Sequence, residues 1–150
     1  MQVASFEIDG QEYALDIMQI KEIINPVPIT PVPRAPAFVE GIIELRGAVL
    51  PVVDLRKRFD APANPPTRET KYVIVSLSNH IVGLVVDRVR EVMRVDVGDI
   101  LDAPSMATGL DAQFVSGVYK RDGRILIVLD IGRILSASER SVLDQLGQGE

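Results

Sequence analysis

Few side chains in this sequence have the type and the spacing that catalysis requires. The single histidine, His80, lies in a polar segment between two apolar runs, where a solvated turn residue is expected. Asp54 and Asp130 could act as a carboxylate pair in acid–base catalysis. Each of them, however, follows an apolar run and precedes a short segment with helical character, which favours a helix cap. We therefore expect no catalytic residue and no enzymatic activity.

Motifs for nucleotide, acyl-transfer and metal chemistry are also missing from the sequence. It contains no Gly-x-Ser-x-Gly elbow, no Gly-x-x-x-x-Gly-Lys loop and no Gly-x-Gly-x-x-Gly turn. Asp96, Asp99 and Asp102 resemble metal-ligand spacing loosely, but they lack the further oxygen ligands and the glycine of a calcium loop. Because cysteine is absent, thiolate ligands and cysteine nucleophiles are excluded together. The sequence predicts neither a metal nor an organic cofactor.

The overall charge argues against nucleic acid as a partner. The 150 residues include 16 Lys and Arg against 21 Asp and Glu, and aromatic residues make up 5%. The basic runs at 56–58 and 88–94 could contact phosphate, but they lack the interleaved aromatic residues that stack on bases. A small nucleic-acid-binding β-barrel is therefore the weaker alternative. The longest uncharged stretch, 72–86, contains polar residues and is too short to cross a membrane, so we expect a cytoplasmic protein without membrane insertion.

The elements that must position these side chains are predicted to be mainly strands. The apolar runs are short, rich in valine and isoleucine, and separated by turn residues at intervals of roughly 8–12 residues. Three pairs of runs are predicted to form hairpins, with turns at 9–10, 46–47 and 78–80. Spacing of Ser136 and Glu139 predicts a capping box, so a closing helix is expected near the C-terminus.

The chain also contains an internal repeat. Segment 38–59 aligns with segment 114–135, and seven of the 22 aligned positions are identical. A shorter echo relates 13–23 to 82–92. The sequence therefore predicts two related β units.

We place the boundary of these units in the proline-rich segment 60–70. The predicted units are residues 10–65 and 71–150, and the strand at 1–9 could pack on either of them. A unit of roughly 60–70 residues buries too little surface to be stable alone, so we expect the two units to share an apolar interface and to fold together.

Two blocks of the sequence resemble the CheW chemotaxis coupling proteins, whose domain is also the regulatory domain of CheA histidine kinases. They are ITPVPRAPAFVEGIIELRGAVLPVVDLRKRF, residues 29–59, and IVGLVVDRVREVM, residues 81–93. The resemblance implies two five-stranded SH3-like barrels and a non-catalytic adaptor in a two-component signalling system. The implied partners are the regulatory domain of a CheA-type kinase and the cytoplasmic tips of chemoreceptors. No kinase sequence is attached, so we expect a standalone adaptor, with an excised CheA regulatory domain as the alternative.

The resemblance also assigns a receptor-binding role to particular residues. The family places its receptor groove at the stretch that corresponds to residues 20–23 and at a Leu-Arg-Gly turn, here residues 45–47. With related positions in the second unit, the residues carried over are Ile20, Glu22, Gly41, Arg46, Gly83, Val89 and Val92.

Arg46 is the strongest of these candidates because an arginine at a hairpin tip has no role in a core. We expect Glu22 to lie near enough to orient its side chain. The family usually has asparagine before the Leu-Arg-Gly turn, but this chain has Glu44, which could pair with Arg46 or change the receptor preference. Arg58, on the basic run after the strand, is expected to be solvated.

Overall fold

The computed structural model of this chain describes residues 1–77, 80–102 and 114–133. Within these residues the elements are strands, one turn of α-helix and short 3-10 turns. The helix is α1 (Leu55–Arg58), and the strands are β1 (Gln2–Ile8), β2 (Gln11–Asp16), β3 (Ile20–Ile24), β4 (Val39–Leu45), β5 (Ala48–Asp54), β6 (Lys71–Leu77), β7 (His80–Val86), β8 (Arg88–Arg94), β9 (Val115–Arg121) and β10 (Arg124–Leu129). The predicted closing helix lies outside the described residues.

The three predicted hairpins are confirmed, and a fourth joins β9 to β10. In three of the four turns both central residues have a positive φ, between 50° and 83°, as in type I′ turns. This backbone suits Gly, Asn and Asp, and here it is adopted by Asp9-Gly10, Arg46-Gly47 and Asp122-Gly123. The fourth turn, between β6 and β7, includes residues 78 and 79, which are not described.

The strands form two five-stranded sheets. Sheet I has the order β3-β6-β7-β5-β4, and sheet II has the order β8-β1-β2-β10-β9. Each sheet contains one parallel pair, β5 with β7 in sheet I and β10 with β2 in sheet II, and its other pairs are antiparallel. The mainly β fold with two five-stranded units is thus confirmed.

The two sequence repeats exchange their first hairpins. Strands β1–β5 belong to the first repeat and β6–β10 to the second, yet β6 and β7 lie in sheet I and β1 and β2 lie in sheet II. The registers agree between the sheets: Val52 is opposite Gly83 in sheet I, and its repeat partner Val128 is opposite Ala14 in sheet II. The exchange is therefore reciprocal.

This exchange corrects the strand content that was expected for units 10–65 and 71–150. Sheet I takes its strands from residues 20–86, and sheet II takes its strands from residues 2–16 and 88–129. The physical reason is that hairpins form between neighbours in sequence, whereas joining a hairpin to a sheet depends on long-range pairing. The strand at 1–9 was expected to pack on either unit. It is β1, and it pairs with β2 and β8 in sheet II.

The buried apolar side chains divide into three clusters because the side chains of a strand alternate between two faces. One small cluster lies inside sheet I, around Val52 and Ile74, and another lies inside sheet II, around Val3 and Leu126. The largest described cluster lies between the sheets and takes side chains from both, including Phe6, Leu15, Val53, Val75, Leu84 and Ile127. The predicted shared apolar interface is confirmed.

Gly41 allows a connecting segment to cross β4 at very short range. Thr30 and Ile42 exchange two backbone hydrogen bonds, each 2.9 Å long. A Cβ added at Gly41 would lie 2.8 Å from the carbonyl carbon of Thr30, and the φ of Gly41 is +147°. The second repeat contains the same crossing, in which Gly117 faces the carbonyl oxygen of Leu101 at 2.7 Å from its added Cβ. Both glycines are thus required by close backbone approach.

The two aspartates at equivalent positions of the repeat are caps, as predicted. The carboxylate of Asp54 accepts a hydrogen bond from the backbone N–H of Arg56, at 3.0 Å, and caps α1. The carboxylate of Asp130 accepts one from the backbone N–H of Gly132, at 3.1 Å. Asp54 is fully buried and also pairs with the side chain of Arg56, so the guanidinium balances the negative charge of its carboxylate.

Candidate functional site

Arg46 and Glu22 form an exposed ion pair between the two edge strands of sheet I. Arg46 lies in the turn between β4 and β5, with 71% of its side chain exposed, and Glu22 lies on β3. Nη2 of Arg46 donates to Oε1 of Glu22 at 2.9 Å, and Nη1 donates to the other carboxylate oxygen. Since β3 and β4 are opposite edges, the contact means that sheet I curls until its edges meet.

The predicted proximity of Glu22 to Arg46 is therefore confirmed. The hydrogen bonds from Arg46 hold the pKa of the Glu22 carboxyl below its usual value, and its partial desolvation opposes this effect. The same contact raises the pKa of Arg46. A bidentate arginine–carboxylate contact fixes the direction of the guanidinium. Glu44 is exposed on β4 opposite Val49, and the ion pair of Arg46 is with Glu22 rather than with Glu44.

Ile20 and Val89 occupy equivalent places on the two edge strands β3 and β8. Ile20 is opposite Val75, Val89 is opposite Phe6, and both are half-buried against the cluster between the sheets. In each strand the next residue is a bulge, since the register shifts at this point. A bulge turns the strand and redirects the side chains that follow it. Both strands therefore bend at the border of the shared cluster.

Two apolar side chains lie exposed just after these bulges. Val92 on β8 is 55% exposed, and Ile23 on β3 is 38% exposed. Val92 was among the sequence candidates, whereas Ile23 was not. The echo between 13–23 and 82–92 contained the signal, because it aligns Ile23 with Val92. Exposed apolar side chains beside a half-buried one are typical of a protein-binding surface.

Gly41 and Gly83 differ from the other sequence candidates because both are buried in sheet I. Gly41 faces the connecting segment that crosses β4. Gly83 faces the interior of sheet I, where an added Cβ would lie 3.3 Å from Cδ1 of Ile74 and 3.6 Å from Cγ2 of Val52. A direct contact of either residue with a receptor remains a prediction.

Sheet II contains a modified version of the Arg46–Glu22 pair. Glu91, which aligns with Glu22, has its carboxylate 3.8 Å from Nη1 of Arg124. Arg124 donates instead to both carboxylate oxygens of Glu12, at 2.8 and 2.6 Å. These hydrogen bonds hold the pKa of Glu12 below its usual value against the effect of burial. Arg46 in sheet I is therefore oriented by Glu22, whereas Arg124 in sheet II is oriented by Glu12.

Arg58 is not the solvated residue that the sequence predicted. Its guanidinium carbon lies 4.7 Å from the centroid of Phe114 and 5.8 Å from that of Phe38, and its side chain is half-buried. Phe38 and Phe114 occupy equivalent positions of the repeat. The prediction is wrong because α1 turns the end of the basic run toward the rim of the shared cluster, where a cation–π contact is available.

In residues 1–77, 80–102 and 114–133, no group of three or more His, Asp or Glu side chains is placed to hold a metal ion. Within the same ranges, no helix is long and apolar enough to cross a membrane.

The two five-stranded sheets with a shared apolar cluster define the fold class, and comparison with known proteins gives the family. The model of the CheW-like domain matches residues 2–139, so the chain belongs to the CheW-like family. It is 34% identical to the chemotaxis protein CheW of Rhizobium meliloti, over 93% of this chain and 90% of the relative. It is also 34% identical to the chemotaxis protein CheW of Treponema pallidum, over 97% of this chain and 88% of the relative.

A solved structure extends this agreement to the fold. The crystal structure of the scaffolding protein TtCheW from Thermoanaerobacter tengcongensis matches with a TM-score of 0.84 and 33% sequence identity. The match covers 92% of this chain and 89% of TtCheW. The resemblance noted in the two sequence blocks is confirmed.

Proposed function

We propose that this protein is a non-catalytic adaptor that couples chemoreceptors to a CheA-type histidine kinase in the cytoplasm. Family membership supports the role, since relatives over nearly the whole length are named chemotaxis proteins. Two observations carry the proposal. On the edge strands β3 and β8, Ile20 and Val89 pack at the border of the cluster between the sheets, and Val92 is exposed. Beside β3, Glu22 orients the exposed guanidinium of Arg46.

We propose that a receptor tip binds at these side chains, which together form a docking surface. The docking surface is defined here by five side chains, two from sheet II and three from sheet I: Val89, Val92, Ile20, Glu22 and Arg46. Its apolar members supply contact area, and the guanidinium of Arg46 supplies directed hydrogen bonds. Arginine with a partly buried stem is common at interface hot spots. We propose that Gly41 and Gly83 affect receptor binding through the fold, because both are buried.

A reconstituted signalling array tests the proposed function. Receptors in vesicles, a CheA-type kinase and this protein are combined, and phosphoryl transfer is followed with and without receptor ligand. We expect the protein to increase kinase activity and to make that activity respond to ligand. The Arg46→Ala variant should restore less of this control. Equal kinase activity and equal ligand response with and without the protein would refute the proposal.

A further inference from the structure

Asp87 lies where the chain passes from sheet I to sheet II. Strand β7 of sheet I ends at Val86, and strand β8 of sheet II begins at Arg88. The backbone N–H of Asp87 donates to the carbonyl oxygen of Glu7 at 3.0 Å. Its Oδ2 accepts from the backbone N–H of Asp9 at 2.8 Å. These two bonds attach Asp87 to the first hairpin of sheet II.

The other carboxylate oxygen of Asp87 attaches the same residue to sheet I. It accepts a hydrogen bond from Nη1 of Arg56 at 3.1 Å. Arg56 lies in α1, directly after β5, and is 5% exposed. The carboxylate of Asp87 therefore joins the two sheets through a charged side chain on one side and a backbone amide on the other.

Arg56 has little freedom to move because all three of its side-chain nitrogens are engaged. Nε and Nη2 each donate to the buried carboxylate of Asp54 at 3.0 Å. Nη1 donates to the carbonyl oxygen of Asn64 at 3.0 Å, in addition to its bond with Asp87. A planar guanidinium fixed by several partners holds each of them in a defined direction.

This connection has a consequence for the docking surface, which takes residues from both sheets. Val89 and Val92 follow Asp87 on β8, whereas Ile20, Glu22 and Arg46 belong to sheet I. The apolar cluster between the sheets resists separation, but apolar contact is non-directional and permits small rotations. The Arg56–Asp87 pair supplies a directional contact at the point where the chain crosses.

We propose that Arg56 and Asp87 are positioning residues that fix β8 relative to sheet I and so pre-arrange the two parts of the docking surface. This inference rests on the proposed function for its binding effect. Its structural part, a fixed orientation of β8, does not depend on the identity of the partner. Pre-arrangement raises affinity because less ordering is required on binding.

The test uses the absence of cysteine from the chain. Ser76→Cys on β6 and Arg94→Cys on β8 introduce two exposed labelling sites, one on each sheet. Spin labels at these sites report the distribution of distances between β8 and sheet I. We expect a narrow distribution in the parent chain and a broader one in Asp87→Ala. Saturating receptor tip should narrow the distribution of Asp87→Ala again.

Affinity for a receptor cytoplasmic tip is measured on the same proteins. We expect a loss of roughly tenfold in Asp87→Ala, within the range for residues that act through other residues. Ile43→Ala, a buried change on β4 opposite Leu50 and away from Arg56 and Asp87, is the control for stability. It should keep the narrow distribution of label distances and the affinity of the parent chain, when each protein is measured the same number of degrees below its own melting temperature. If Asp87→Ala does not fold, Asp87→Asn takes its place in the test. This variant retains the shape of the side chain and one acceptor oxygen, so it should show the same broadening and the same loss of affinity on a smaller scale.

Several results would overturn the inference. Narrow distributions in both Asp87 variants would mean that the pair does not fix the orientation of β8. An equal loss of affinity in Ile43→Ala would mean that binding follows stability alone. If the parent chain fails to bind receptor tips, the proposed function fails, and the distance distributions still decide the positioning role.

Discussion

Gly41→Ala should detach the crossing segment from β4, and the structure allows its cost to be worked out. The added Cβ would lie 2.7 Å from Cγ2 of Ile29 and 2.8 Å from the carbonyl carbon of Thr30, too close for either to stay in place. Moving the segment breaks the two hydrogen bonds between Thr30 and Ile42, each worth about 1 kcal/mol net. A φ of +147° lies in a region that essentially only glycine populates, and alanine there adds about 1–3 kcal/mol. We expect a total loss of about 3–5 kcal/mol.

Gly47→Ala is the matched control because Gly47 ends the same strand pair. Its φ is +83°, so alanine is strained there too, but no atom lies within 4 Å of the added Cβ. Gly47→Ala should therefore cost only the strain, about 1–2 kcal/mol. Urea denaturation of the two variants and the parent chain measures the free energy of unfolding. We expect a difference of about 2 kcal/mol between the two variants, which arises from the hydrogen bonds.

Equal stabilities for Gly41→Ala and Gly47→Ala would refute this reasoning, because the close approach of Thr30 is what separates the two positions. Gly117→Ala provides a repeat of the test in sheet II, where the segment containing Leu101 crosses β9. It should cost the two hydrogen bonds between Leu101 and Val118, about 2 kcal/mol, without strain from a positive φ. Such a result would also explain an effect of Gly41 on receptor binding without direct contact.

Arg46→Ala should leave the melting temperature nearly unchanged and weaken binding to a receptor tip roughly thirtyfold in calorimetry, whereas the exposed control Arg68→Ala should bind like the parent. Arg56→Met should lower the free energy of unfolding by about 3–5 kcal/mol in urea, because it leaves a buried carboxylate unpaired; a loss below 1 kcal/mol would contradict this. Glu12→Gln should be less stable than the parent at pH 7, and the difference should vanish as the pH falls below 4.5, since a lowered carboxyl pKa gives stability that is lost on protonation; a constant difference across this range would be inconsistent. Halves separated within 60–70 should each be insoluble or unfolded when expressed alone, because each leaves both sheets incomplete; two soluble halves with cooperative melts would disprove it.

Local patterns were sufficient to predict the strands, the hairpins and the caps at Asp54 and Asp130. Alternating apolar residues and turn dipeptides act over a few residues, and the structure follows them at 9–10 and 46–47. The repeat predicted two related β units, and their interface follows from the small size of each. The pairing of Arg46 with Glu22 was accessible through the family resemblance, which places both residues at one groove.

The exchange of hairpins could not be predicted from these patterns. It depends on the pairing of β3 with β6 and of β1 with β8, which are far apart in sequence and carry no local signal. The same limit explains Arg58 and Asp87. The phenylalanine that stacks on Arg58 most closely and the hairpin that holds Asp87 come from distant parts of the chain.

The reciprocal exchange makes the molecule equivalent to a dimer whose two subunits have been joined end to end. Each repeat contributes its first hairpin to the sheet of the other repeat. The segment at 60–70 connects the two repeats and therefore raises the effective concentration of one repeat near the other. The length of a tether is far less constrained than the register of the strands that it joins. Insertions in this segment away from Asn64, whose carbonyl oxygen binds Arg56, should therefore be tolerated better than insertions in the strands that pair the two repeats.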